Sequence, residues 1–264
     1  MRIRALFTAL AMAACCLLFS LIVAQGAASA APSAATCERP RGPLVAYGHS
    51  YLSSPKIGGA PASYVTVAAT SFGVKPAIRA VDEATTLDVD RMVHQGPTRW
   101  VPGSSDLVLI DSSINDIEKQ IPTAQWTAAL RHTLTAFVPR PVPTILLVRP
   151  LPVRAPGHPG HNPEVIEHYA AAQRAVAAQF SAVRIVDASA GWSPSLDVAG
   201  DGIHPTRSGV AHLARAIQGT ARRVFCQQST QRPALNPAPR SPHDRHSITT
   251  QSPADLSARR PSGV

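Results

Sequence analysis

Lysine is scarce in this chain, and lysine and arginine nowhere form a dense patch interleaved with aromatic residues, which make up 5% of the sequence. That absence excludes a nucleic-acid-binding surface of the usual kind. No internal repeat is present, so solenoids and propellers are excluded. The chain also lacks cysteine or acidic partners at ligand spacing around the histidine pair His158 and His161. No metal site and no cofactor are therefore expected, and the proline-rich loop holding that pair is expected to wall a pocket. No inserted binding module and no long lid are evident.

What is present is unevenly distributed. Arg2 and Arg4 precede an apolar run from Ala5 to Ala24, followed by Ala28-Ser29-Ala30. A basic start, an apolar middle and a small-residue site define a secretory signal peptide over 1–30, with an uncleaved anchor as the alternative reading. Residues 227–264 are rich in Pro, Ser, Gln and Arg and carry no sustained apolar period, so a disordered tail is expected there. One domain, 31–226, lies between, long enough to bury a core. Of the formal charge of +9, Arg2 and Arg4 hold two, and the tail's five arginines against two aspartates hold three. Weak association with an anionic cell envelope follows, and nothing more specific. A monomer is expected. Four cysteines occur; Cys15 and Cys16 fall in the signal. Cys37 and Cys226 flank the domain of an exported chain, so a disulfide between them is expected, with two separate thiols as the alternative.

Apolar runs alternate with helix-like stretches through the domain. Strands are expected at 43–48, 63–69, 105–113, 143–151 and 182–189, and helices at 76–96, 122–138, 164–180 and 206–225. Continuous apolar strands spaced by helices imply an α/β fold, a three-layer α/β/α sandwich around a five-stranded parallel sheet. In such sheets the chemistry gathers beyond the carboxyl ends of the strands. Ser50 follows the first strand, Gly73 the second and Asn115 the third, while Asp201 and His204 follow the fifth. Each residue alone has an ordinary reading: Ser50 as a turn residue, Asn115 as a turn amide, Gly73 as a site of positive φ, and Asp201 and His204 as a cap before Pro205. Trp192 either lines the site or packs.

Together these blocks resemble the SGNH (GDSL-type) hydrolases. "YGHS" resembles the family's first block, "TSFG" the second, "SIND" the third and "DGIHP" the last. The resemblance implies the flavodoxin-like fold of that family and a serine esterase acting on small-molecule, lipid or carbohydrate esters, with no cofactor. It implies Ser50 as nucleophile, His204 as base and Asp201 as its orienter. It also implies an oxyanion hole from Asn115 and the N–H groups of Ser50 and Gly73. Two positions depart from the family pattern: His49 replaces the usual aspartate, and Ser113 the usual glycine. An acyltransferase or thioesterase on the same fold, or a non-catalytic envelope-binding protein, are the other readings the sequence allows.

Overall fold

The computed structural model describes residues 37–137 and 143–231. The expected signal peptide and nearly all of the expected tail lie outside the described residues. Five strands form one parallel sheet: β1 (Leu44–Gly48), β2 (Pro76–Ala80), β3 (Leu107–Ile110), β4 (Thr144–Val148) and β5 (Val183–Val186), in the order β2-β1-β3-β4-β5. Side chains alternate along each strand, so each face receives every second residue. Leu44, Ala46, Leu107 and Leu109 pack beneath helices α2 (Tyr64–Phe72) and α8 (Arg207–Gln231). Val45, Tyr47, Val108 and Ile110 face the other way. They meet α3 (Thr86–His94), α5 (Thr123–Thr135) and α6 (Pro163–Ala177) through residues such as Val89, Trp126, Leu130 and Ile166. The result is the three-layer α/β/α sandwich.

Two elements differ from the sequence expectation. Residues 63–69, rich in β-branched side chains, form most of helix α2 rather than a strand. Ser63 caps it by accepting from the Val65 N–H, and Tyr64, Val65, Ala68 and Ala69 are buried. That spacing is helical, and burial overrides the local β preference. The second strand is instead β2, which begins the stretch expected to be a helix. β2 pairs only with β1 and is half-buried, with Pro76 at its first position. An edge strand tolerates that proline because its missing N–H faces no neighbour. The helix starts only at Thr86, behind a capping box in which the Thr85 hydroxyl and the Asp88 carboxylate serve each other's backbone N–H.

At the other end of the domain, Cys37 and Cys226 are joined as expected, across 189 residues of sequence. Helix α8 runs on to Gln231, five residues into the stretch expected to be tail. The domain's last packed turn, at Val224 and Phe225, anchors that extension.

Three short helices complete the rim above the sheet: α1 (Ser50–Ser53), α4 (Ile114–Glu118) and α7 (Pro194–Asp197). Ser113, which precedes α4, is buried with φ 138, a region that glycine tolerates and serine does not. Its side chain makes no capping hydrogen bond. Ser113→Gly is expected to raise the unfolding free energy by about 1 kcal/mol in denaturant titration. A loss of stability would show that the serine hydroxyl compensates for the strain.

Candidate active site

Strand β1 ends at Gly48, where the chain turns sharply into α1. A Cβ at Gly48 would meet the Asp111 carbonyl oxygen at 2.7 Å and the Leu52 side chain at 2.7 Å, so no larger residue fits the turn. His49 is the N-cap of α1, its Nδ1 accepting from the Tyr51 N–H. Ser50 is thereby placed at the first helical position, where its own N–H has no intrahelical acceptor.

The loop after β5 brings the acid–histidine pair to that serine. Asp201 Oδ1 accepts from the backbone N–H groups of Ile203 and His204, and Oδ2 lies 2.7 Å from His204 Nδ1. A carboxylate only accepts, so His204 carries its proton on Nδ1 and leaves Nε2 as an acceptor. Nε2 lies 3.0 Å from Ser50 Oγ, which donates to it. Burial pulls the Asp201 carboxyl upward, but the two backbone N–H groups and the His204 ring outweigh it and hold it below the usual carboxylate range. The Tyr51 hydroxyl donates to the Ile203 carbonyl and its ring stands beside His204, fixing the loop from above. Asp201 does not cap the last helix. Thr206 does that, its hydroxyl accepting from the Gly209 N–H, so the carboxylate is left to His204.

Beneath the serine lies a second buried set. With Nδ1 accepting, His49 presents its Nε2 toward Asp111 Oδ1 at 3.5 Å. The Tyr64 hydroxyl donates to Asp111 Oδ2 in a short hydrogen bond. Burial first, then the Asp111 charge, pushes the Tyr64 phenol well up. His49, which stands where the resemblance expects aspartate, is thus accommodated by an acid from the end of β3.

Asn115 is buried on α4, with Nδ2 donating to the Ala84 carbonyl at 2.9 Å and one N–H remaining. Next to it, Asp116 accepts from the Thr86 N–H and hydroxyl. Burial raises its carboxyl from 3.8 to about 6 in spite of those bonds. Between those two values the folded chain binds more protons than the unfolded chain, so this group's contribution to stability falls as pH rises through the window. From about pH 4 to about pH 7, the stability difference is expected to move in favour of Asp116→Asn over the wild type, by on the order of 2–3 kcal/mol. Denaturant unfolding at stepped pH checks this, and a pH-independent difference would contradict it.

Gly73 is not brought to the site. It ends α2 in the left-handed conformation, φ 70, with its N–H donating to the carbonyls of Ala69 and Thr70. Because α2 runs into the amino end of β2, Gly73 lies beyond the amino ends of the parallel strands, whereas Ser50 lies beyond their carboxyl ends. The segment that does follow β2 on the active rim is the loop Val81–Thr85. Val81 N–H donates to the Gly48 carbonyl, Ala84 receives Asn115, and Glu83 adopts a positive φ of 60. The Thr85-Asp88 capping box was the sequence signal that would have placed this loop after a strand.

The remaining candidates pack. Trp192 donates from Nε1 to the Pro152 carbonyl and lies against the core. His158 is buried and accepts from the Gly160 N–H, and burial lowers its pKa. His161 Nδ1 lies 3.2 Å from the Val153 carbonyl. That proline-rich loop seats Gly160 close to Ile114 of α4, the helix that carries Asn115.

A model of the GDSL-like Lipase/Acylhydrolase family matches residues 46–212. The fold is similar to that of a lipase/acylhydrolase from Enterococcus faecalis, with TM-score 0.56 at 16% identity, covering 71% of this chain and 96% of that one. It is similar also to TesA, with TM-score 0.54 at 19% identity, covering 69% and 98%. A third likeness is to the psychrotrophic esterase EstA from Pseudoalteromonas sp., inhibited by monoethylphosphonate, with TM-score 0.51 at 12% identity, covering 69% and 97%. No curated protein sequence matches the chain.

Proposed function

Because this chain belongs to the GDSL-like lipase/acylhydrolase family, and so is a carboxylic-ester hydrolase, we propose that it is an exported serine esterase working through Ser50, His204 and Asp201. The observation that carries this reading is the unbroken line of hydrogen bonds from Ser50 Oγ through His204 to Asp201, at 3.0 and 2.7 Å. His204 Nε2 takes the Ser50 proton as Oγ attacks the ester carbonyl, and Asp201 stabilises the imidazolium that forms. The oxyanion is held by the free N–H of Asn115 and by the backbone N–H of Ser50. A further backbone donor would come from the Val81–Thr85 loop, which meets Gly48 and Asn115 and holds Glu83 at a positive φ. His204 then protonates the leaving alcohol, and water attacks the acyl-enzyme by the same route in reverse.

Acyl and O-acetyl esters of small molecules, lipids or carbohydrates are the substrate class. Export rests on the N-terminal pattern of basic, apolar and small residues, and the Cys37–Cys226 bond suits an oxidising compartment. The inhibition of an esterase of this fold by a phosphonate supports a nucleophilic serine here.

An ester panel from acetate to long acyl chains tests the reading. Wild type is expected to hydrolyse members of the panel, and Asn115→Ala to lower kcat by roughly 10²–10³-fold, the usual effect of losing one oxyanion donor. An Asn115→Ala enzyme of unchanged kcat would remove Asn115 from the mechanism.

A further inference from the structure

Helices α3 and α5 bring together three side chains that the esterase mechanism does not use. Asp90 and His94 are one turn apart on α3, and His132 projects from α5. One ligand atom from each of the three lies within 4.8 Å of the others. His94 Nε2 is 3.4 Å from Asp90 Oδ1. Two ligands of one tetrahedral zinc ion, each bonded at about 2.0–2.1 Å, stand about 3.3 Å apart. His132 Nδ1 is 2.9 Å from both Asp90 oxygens, so an ion would need it to withdraw by only a few tenths of an ångström.

We propose that Asp90, His94 and His132 form a binding site for a divalent late transition metal, zinc above all. The donor set of two imidazoles and one carboxylate is that of three-ligand zinc sites, and it does not suit magnesium or calcium. The carboxylate is backed by the Thr133 hydroxyl, which shares its proton between Asp90 Oδ1 at 3.2 Å and the Ala129 carbonyl at 3.0 Å. Outer contacts of this kind hold a ligating group in place. The helices bearing the ligands are fixed against each other by Val89, Val93, Trp126 and Leu130 in a common core.

The site is also open on one side. Side-chain exposure rises from 13% at Asp90 to 27% at His94 and 63% at His132. Asp90 and His132 border a cavity of about 360 Å³ whose wall also includes Asp116 and Trp126. Three protein ligands with a fourth position facing that cavity leave room for water or an anionic group of a small molecule. At present geometry His94 Nε2 also lies 3.1 Å from the His132 carbonyl, and coordination replaces that hydrogen bond. Sequence spacing did not show the site, because His132 stands 38 residues beyond His94 and only the packing of α3 on α5 joins them.

The test uses the full chain after dialysis against EDTA, titrated with zinc chloride by calorimetry and followed in parallel by thermal unfolding. Wild type is expected to bind one zinc ion in a saturable step that raises the unfolding temperature. His94→Ala and His132→Ala are each expected to weaken that step at least tenfold, since loss of an outer-shell partner alone costs ~10–100-fold. His132 is largely exposed, so His132→Ala folds, and its hydrolysis of a short ester without added metal stays at the wild-type rate. Absence of saturable binding in the wild type would overturn the proposal. So would either variant binding zinc as tightly as wild type, the result expected if the metal goes to His243 and His246 of the C-terminal segment instead.

Discussion

Ser50→Ala is expected to lower kcat/KM for short p-nitrophenyl esters by on the order of 10⁴–10⁶-fold while leaving the fold unchanged. The size of the loss follows from the order of events. Without Oγ there is no acyl-enzyme, and only ester binding and the oxyanion donors remain to help water attack directly. The fold should survive because the Ser50 side chain hydrogen-bonds His204, whereas the start of α1 is held by the His49 cap. Alanine is also a better helix former than serine. Steady-state kinetics and a thermal melt on the same preparation separate the two effects. Residual activity within tenfold of wild type would mean that the chemistry runs elsewhere.

Asp201→Asn is the more discriminating change, with an expected fall in kcat of about 10³–10⁴-fold and little change in KM. The amide oxygen can keep accepting from the Ile203 and His204 N–H groups, so the loop is held. The amide nitrogen then faces His204 Nδ1 and makes it an acceptor. The ring proton moves to Nε2 and points at Ser50, where it cannot take the serine proton. Because Asp201 is held below the usual carboxylate range, it stays ionised wherever ordinary carboxylates are. An acid-side loss of activity within that range therefore arises from another group. A fall in kcat of less than tenfold would show that the Tyr51 and Ile203 contacts orient His204 without the carboxylate.

Much of this fold could be read from apolar runs in the sequence, most directly in the strands that are buried on both faces. Strands β1, β3 and β4 are continuous apolar runs buried almost throughout, and α5 and α6 carry a clear helical stripe. The second strand was hidden because β2 is a half-buried edge with Pro76 and Arg79 in it, while the adjacent helix α2 is built from residues that favour strands. Shifting that one element moved the glycine position after it, which is why Gly73 was placed on the wrong rim. That Ser50, Asp201 and His204 would come together was legible because each follows a correctly read strand. His49 was visible only as a departure from the family pattern. Its partners, Asp111 at 3.5 Å and Tyr64 behind it, come from β3 and α2 and meet only in the folded chain. The same holds for Asp90, His94 and His132, which share no motif and lie on two helices.

The role of Ser50 as an activated nucleophile is tested most directly by reaction with a fluorophosphonate, followed by intact-mass analysis and peptide mapping. Wild type should gain a single covalent adduct, carried on Ser50, and lose esterase activity in step with it. Ser50→Ala should gain none. An unlabelled wild-type protein, or a variant labelled as fully as wild type, would contradict a serine esterase centred on Ser50 and His204.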